Sequence, residues 1–388
     1  MNAPLRTATR YTVRTFAPDD RAAFLSLYET VFGHDRSPRW FRWKFRENPY
    51  VDHVPIIVAT SDGDPVGFRS FFAQQMRIGG TVRTAFQPCD TMVHPRHRGR
   101  GLFGRMNEHA IERYANGSPS FFFNFPNENS KPGNLAHGWQ EIGTVPAYYR
   151  LQNPADALER RTNTDPSSDG TDGRSVDTRR ADGDRRLSDG RLTSAFTDML
   201  EDTITRIHRA GDRLLVDSEP GLGIEYYETP PTGTLAAIYR RSIPPEIHTN
   251  RTAAFYRWRF ANPAQTYLTY VARRDGEPVA ALVVSSGVDR ARIVETLPRS
   301  IEPEEAPLNQ LLVAAMDDFA DRRYVTAFGE TVPSPLRYRF YPDTRLPLSA
   351  FVRPTSRTLL ARDLGDGLDL ESSPIEAWTF SRLDLDTT

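Results

Sequence analysis

Two stretches of the 388-residue chain repeat in register, and this constrains the fold more than any single motif. Phe41-Arg42-Trp43-Lys44-Phe45-Arg46-Glu47-Asn48-Pro49 is echoed by Tyr256-Arg257-Trp258-Arg259-Phe260-Ala261-Asn262-Pro263, one residue shorter. About a dozen residues later, Asp62-Gly63-Asp64-Pro65-Val66-Gly67 matches Asp275-Gly276-Glu277-Pro278-Val279-Ala280. Chance composition would not keep both the motifs and their offset, so the chain reads as a duplicated fold. Each copy gives an aromatic-rich helix, a strand (55–60; 267–272), a tight Asp-Gly turn and a second strand (66–73; 279–285). A further strand, a helix (103–114; 308–320) and a buried strand (120–124; 324–328) follow. Helices and strands alternating around a mixed twisted sheet place each copy in the α/β class.

Leu151 to Ala195 contains no aromatic residue and is dominated by Asp, Arg, Gly, Ser and Thr, the composition of a polar linker or surface excursion. The expected organisation is an N-terminal domain over 1–152, the linker over 153–195, a second domain over 196–365 and a tail over 366–388. Within the tail, Trp378-Thr379-Phe380 reads as an added strand.

The formal net charge of -1 offers no global attraction to nucleic acid or to an anionic membrane. Only Lys44 and Lys131 among the 49 basic residues are lysines, which leaves few amines for Schiff-base chemistry. The single cysteine, Cys89, excludes an intrachain disulfide and disfavours a cysteine-based metal site, and no metal is implied. On a central strand it reads as a small buried apolar residue, with Asp90 on the opposite sheet face by alternation. No apolar run approaches a membrane span or a signal segment, so a cytoplasmic protein is expected.

The run from Asp90 to Phe103 carries the chemistry. An extended segment ends at Pro95, two glycines follow at Gly99 and Gly101, and a helical period opens at Leu102-Phe103. Glycine lets the backbone approach a ligand closely, and the helix start adds unpaired amides and the positive end of a dipole. Arg96, Arg98 and Arg100 surround the turn with charge, which suits a diphosphate. The plain alternative is an arginine-rich surface loop; the strand, turn and helix context favours the phosphate reading. No Gly-Lys-Ser/Thr follows, so this is not the P-loop. The second copy has Glu302, Glu304 and Glu305 where the first has base, and acid there repels a diphosphate.

Arg96-His97-Arg98-Gly99-Arg100-Gly101, preceded by Val93-His94-Pro95, resembles the coenzyme A signature of the GCN5-related N-acetyltransferase (GNAT) superfamily. The resemblance covers Tyr11 to roughly Arg150, and the whole chain is similar to tandem members with a degenerate second copy. It implies two acyl-CoA N-acyltransferase-like domains. It also implies transfer of an acyl group, most simply acetyl from acetyl-CoA, to a primary amine of a small molecule or peptide by direct attack. The residues it assigns to the cofactor are Met92, Val93, Arg96, Arg98, Gly99, Arg100, Gly101, Leu102 and Phe103.

Direct attack needs a base and orientation, and no covalent nucleophile. Asp90, on the strand leading to the turn, is the first candidate base, and Glu128 the second. Many members place a tyrosine acid four residues before a Gly-Phe pair; here Gly138-Trp139 resembles the pair and the position holds Asn134. His137 is the candidate replacement. Asn124 and Asn127 are expected pocket contacts, while Phe121, Phe122, Phe123 and Phe125 read as core. An inactive coenzyme A sensor or scaffold is the alternative function.

Overall fold

The computed structural model describes residues 10–115, 117–152, 203, 206–207, 210–212, 219–287, 289–299, 304–346, 348–350, 354–365 and 367–387. The expected linker over 153–195 lies outside the described residues. The chain forms two compact units, residues 1–144 with 358–377 and residues 145–357 with 378–388.

In the first unit, β1 (Tyr11–Thr15) is followed by α1 (Asp20–Phe32), the short α2 (Pro38–Phe41), β2 (Ile56–Ser61), β3 (Asp64–Ile78) and β4 (Thr81–Val93). Then come α3 (Leu102–Tyr114), β5 (Phe121–Asn124), α4 (Lys131–Leu135) and β6 (Gln140–Val145). The second unit takes β7 (Ala147–Leu151), β8 (Leu222–Tyr227), α5 (Thr232–Arg241), the two-residue β9 (His248–Thr249), α6 (Ala253–Phe260), β10 (Tyr267–Arg274), β11 (Glu277–Ser286) and β12 (Arg290–Leu297). It continues through α7 (Glu305–Asp318), β13 (Tyr324–Phe328) and β14 (Tyr341–Pro342), and β15 (Arg357–Asp363) returns to the first sheet. Strand order is β1-β2-β3-β4-β5-β15-β6 in one sheet and β14-β7-β13-β12-β11-β10-β8 in the other. Both are mixed: β4 runs parallel to β5 and β12 parallel to β13, with antiparallel neighbours elsewhere along the registers. Two α/β units flanked by helices are therefore present, as the sequence leads one to expect.

The units differ from contiguous halves in one respect. β7, at the end of the first copy, pairs with β13, and β15, at the end of the second copy, pairs with β5. Each copy thus supplies a strand to the other's sheet. The expected extra strand in the tail is not what the structure has there: residues 370–384 make three-residue 3-10 turns, with one isolated bridge between Trp378 and Ile247.

The repeat is structural. Asp62-Gly63 and Asp275-Gly276 both take positive φ (52° and 100°; 54° and 83°), closing two-residue hairpins between β2–β3 and β10–β11. That is the conformation for which Asp-Gly is selected, because its twist matches the flanking strands. The extra residue of the first aromatic motif is absorbed as a π turn over Arg42–Arg46, closed by Glu47 N–H donating to the Arg42 carbonyl at 2.8 Å. The shorter second copy is the regular helix α6. One inserted residue in a helix has this outcome, and it re-aims the side chains within the turn.

In the first unit Leu102, Met106, Ala110 and Tyr114, one helical turn apart on α3, pack onto Phe71, Phe86, Phe122 and Trp139. The opposite sheet face meets α1 and the π turn, where the Phe24 ring sits 5.2 Å from both Phe41 and Phe68. In the second unit Leu308, Leu311 and Leu312 of α7 cover Tyr270, Leu282, Ile293 and Val325.

A test of the β15 attachment follows from Gly138, at φ +78°, whose added Cβ would run into Nη1 of Arg362, the β15 guanidinium that donates to the His137 carbonyl. Gly138→Ala is expected to cost more than Gly33→Ala, which has a similar φ of +77° and nothing within 4 Å. Gly33→Ala should lose only the left-handed strain of about 1–2 kcal/mol. Urea midpoints of the two variants measure the difference.

Candidate functional site

β4 is bulged where it matters. Ser70 pairs with Cys89 and Phe68 with Met92, so two residues, Asp90 and Thr91, face Arg69 alone. Asp90 adopts φ 44°, and the bulge breaks strict alternation. The expectation that Cys89 and Asp90 face opposite ways therefore fails: the Cys89 Sγ and an Asp90 carboxylate oxygen lie within 4.8 Å of each other. Pairing with β5 stops at Phe86 and Phe122, and beyond that point the two strands diverge into a fork.

β4 leads into a 3-10 turn, Pro95–His97, then Gly99 (φ 73°) and Gly101 (φ 71°), which is the N-cap of α3. A Cβ at either glycine would meet nothing within 4 Å, so glycine is required by backbone conformation and not by crowding. Among the described residues the amides of Gly99, Arg100, Gly101, Leu102, Phe103 and Gly104 donate to no backbone acceptor, and the ladder of α3 begins with Arg105 N–H to Gly101 at 3.1 Å. These are the orphan donors of a helix start. Val93, His97, Arg98, Gly99, Gly101, Leu102 and Phe103 line a pocket of about 170 Å³ there.

The turn is braced from β1 and from within. Tyr11 Oη and His97 Nδ1 are 3.0 Å apart, Arg105 donates to the Tyr11 carbonyl at 2.9 Å, and the Arg100 guanidinium lies 5.8 Å from the Tyr11 ring centre. Arg98 Nε donates to the Val93 carbonyl at 3.1 Å, tying the turn to the strand end. Arg96 and Arg100 are exposed. Burial, and then the positive neighbours His94, Arg100 and Arg96, hold His97 below its ordinary pKa.

Two buried charges flank the bulge. On the α1 face the Asp90 carboxylate accepts from Lys44 Nζ at 2.7 Å, with side-chain exposures of 11% and 2%. Lys44 comes from the π turn and lies over the rings of Trp40 and Phe45. Burial and the Asp90 charge push the nearby Tyr28 phenol up to about 12. On the α3 face, Arg69 is buried beneath the Phe103 ring, 5.0 Å from its centre, and donates to Asn134 Oδ1 at 3.1 Å.

Of the other candidate residues, Asn124 is buried at the end of β5. Asn127 is exposed, and its Oδ1 accepts from the Ser130 amide at 3.0 Å, so it shapes the start of α4. Glu128 is exposed beside it. His137 pairs through Nδ1 with the Gly133 carbonyl at 2.6 Å and through Nε2 with Glu108 at 3.5 Å. Phe121, Phe122, Phe123 and Phe125 are all buried. Neither Lys44 nor Arg69 has a place in the site as expected from the sequence. The signals were there: a rare lysine in an arginine-rich chain, and one charge inside the apolar run of β3.

The second sheet forks in the same way, with pairing of β12 to β13 ending at Arg292 and Thr326 and with Val294 extra opposite β11. Its own chain is hydrogen-bonded into that region, beside a cavity lined by Arg292, Thr326, Phe328 and Arg382. The Phe380 carbonyl accepts from Glu330 N–H at 2.8 Å, Arg382 N–H donates to Thr331 Oγ1 at 3.1 Å, and Arg299 donates to Thr379 Oγ1 at 2.8 Å. Buried Arg251 joins Glu295 of β12 to Ser381 and Asp384. Residues 300–303 of the acidic counterpart turn lie outside the described residues.

Residues 12–135 match the family model of an acetyltransferase (GNAT) domain. No curated protein matches the chain by sequence. Among solved structures, a GCN5-related N-acetyltransferase from Anabaena variabilis is 9% identical, with 93% of this chain and 74% of that one covered and a TM-score of 0.59. A GCN5-related N-acetyltransferase from Kribbella flavida is 11% identical, over 93% and 72%, at 0.58. A conserved protein of unknown function from Enterococcus faecalis, a probable N-acyltransferase, is 10% identical, over 93% and 74%, at 0.58. At such identities the likeness is one of fold. Residues 12–135 thus resemble a GNAT acetyltransferase domain, and the two mixed sheets in tandem share their fold with these solved structures.

Proposed function

We propose that the chain is an acyl-coenzyme A dependent N-acyltransferase, most simply an acetyltransferase acting on a primary amine of a small molecule or peptide. The observation that carries this reading is the set of open amides from Gly99 to Gly104 beside a bulged strand that leaves its parallel neighbour. Such amides and a helix start suit paired phosphates. Arg96, Arg98 and Arg100 would add charge around them, and Met92 and Val93 would run beside the donor's arm in the fork. When bound, the donor supplies a thioester carbonyl for direct attack.

Asp90 is the proposed base, directly or through water, and its bond to Lys44 fixes the carboxylate. A carboxylate there also favours an acceptor that arrives as a cation. Glu128 is the exposed second choice. The His137 ring is engaged by Gly133 and Glu108 and is not assigned the acid role. A lone cysteine agrees with a cytoplasmic setting.

Calorimetry of the full chain with acetyl-coenzyme A is expected to give one site per chain, because residues 379–385 are bonded into the fork of the second sheet. Two sites, or none, would contradict the reading.

A further inference from the structure

Arg69 has an environment that structure alone does not require. It is 1% exposed, and its hydrogen bond among the described residues goes to Asn134 Oδ1. Its Nε and the Asn134 Nδ2 are buried without hydrogen-bond partners. Burying a cation without a carboxylate is costly, and a native fold retains such a group where something else uses it.

Its position says what that is. Arg69 starts on β3, opposite the bulge, and Asn134 belongs to α4, which follows β5. The guanidinium therefore reaches over β4 on the α3 face, past Phe86 where β4–β5 pairing ends and so within the fork. The Lys44–Asp90 pair occupies the other face at the same bulge. A base on one face and an unneutralised cation on the other bracket the fork.

Acyl transfer from a thioester generates negative charge at one defined atom. As the amine nitrogen bonds to the acyl carbon, the carbon–sulfur bond breaks with its electron pair on sulfur, and the amine proton leaves to Asp90 or to water. Asn134 is an amide with no acidic proton to give, so a cation is the group suited to receive that charge.

The geometry points to Arg69 as the residue that stabilises the departing thiolate of the acyl donor, with Asn134 positioning its guanidinium. This rests on the donor reading above. Burial pushes the Arg69 pKa down to about 9, with the Cys89 thiol acting weakly against it; an anion brought beside Arg69 restores favourable charge.

The test needs no acceptor amine. Coenzyme A is bound to the full chain and its thiol titrated by the ultraviolet absorbance of the thiolate, with desulfo-coenzyme A as the blank. An opposite charge within about 4–6 Å lowers a pKa by about 1–3 units, so a thiol bound beside Arg69 is expected to ionise that far below a free thiol near 8.5. Arg69→Met should abolish the shift and Arg69→Lys keep part of it. Should the variants fail to fold, the wild-type titration decides alone. A bound thiol that titrates as in free solution overturns the inference and leaves the donor site standing. Absence of coenzyme A binding overturns both.

Discussion

Valine at both Gly99 and Gly101 is expected to weaken coenzyme A binding at least about 100-fold while leaving the fold intact. Both glycines hold φ above 70°. A β-branched residue there costs about 1–2 kcal/mol or more in left-handed strain, and two such costs are relieved by rotating the peptides out of their present directions. Those peptides line the pocket and carry the amides proposed to hold phosphate, and each 1.4 kcal/mol lost from such contacts is tenfold in affinity. The substituted side chains point into open space, so no core contact is disturbed. Calorimetry measures the affinity and the urea midpoint checks the fold; equal binding by the double variant would remove the turn from the function.

Lys44→Met is expected to be the most destabilising single substitution on the catalytic side, by about 3–5 kcal/mol. The loss arises because Asp90 would stay buried without its cation, and removing one partner of a buried pair costs far more than replacing both. Lys44→Met combined with Asp90→Asn should recover most of the stability. Asparagine tolerates the positive φ that Asp90 adopts, and the methionine stem keeps its contact with Trp40 and Phe45. The double variant should remain without transferase activity even though it folds. Denaturant midpoints of the four proteins in this cycle give the coupling, and two independent, additive effects would refute a buried pair.

Much of the fold was legible because its signals are local. Asp-Gly pairs set the two hairpins, and the four-residue spacing of Leu102, Met106, Ala110 and Tyr114 marks α3. The glycine turn was legible for the same reason: strand, glycines and helix start are adjacent in the chain. What escaped is non-local. Ala147–Leu151 and Arg357–Asp363 read as strands, yet period-two alternation states which face is buried and not which strand lies alongside. The exchange of β7 and β15 between sheets has no local signature. Lys44 and Asp90 lie 46 positions apart, and their meeting depends on a π turn and a bulge together. The single-residue difference between the repeats was visible, but its effect on side-chain direction was not. The contact of the His137 ring with the Gly133 carbonyl likewise depends on how α4 folds.

The traded strands impose an order on synthesis. A nascent chain that has released β5 must wait for β15 before that edge is covered, and at about 5–20 residues per second this is roughly ten to fifty seconds. For that interval the ribosome carries a half-built sheet with an open, aromatic edge, the kind of surface chaperones recognise. Messages that slow translation between the two strands should raise aggregation of this protein more than messages slowed within either repeat.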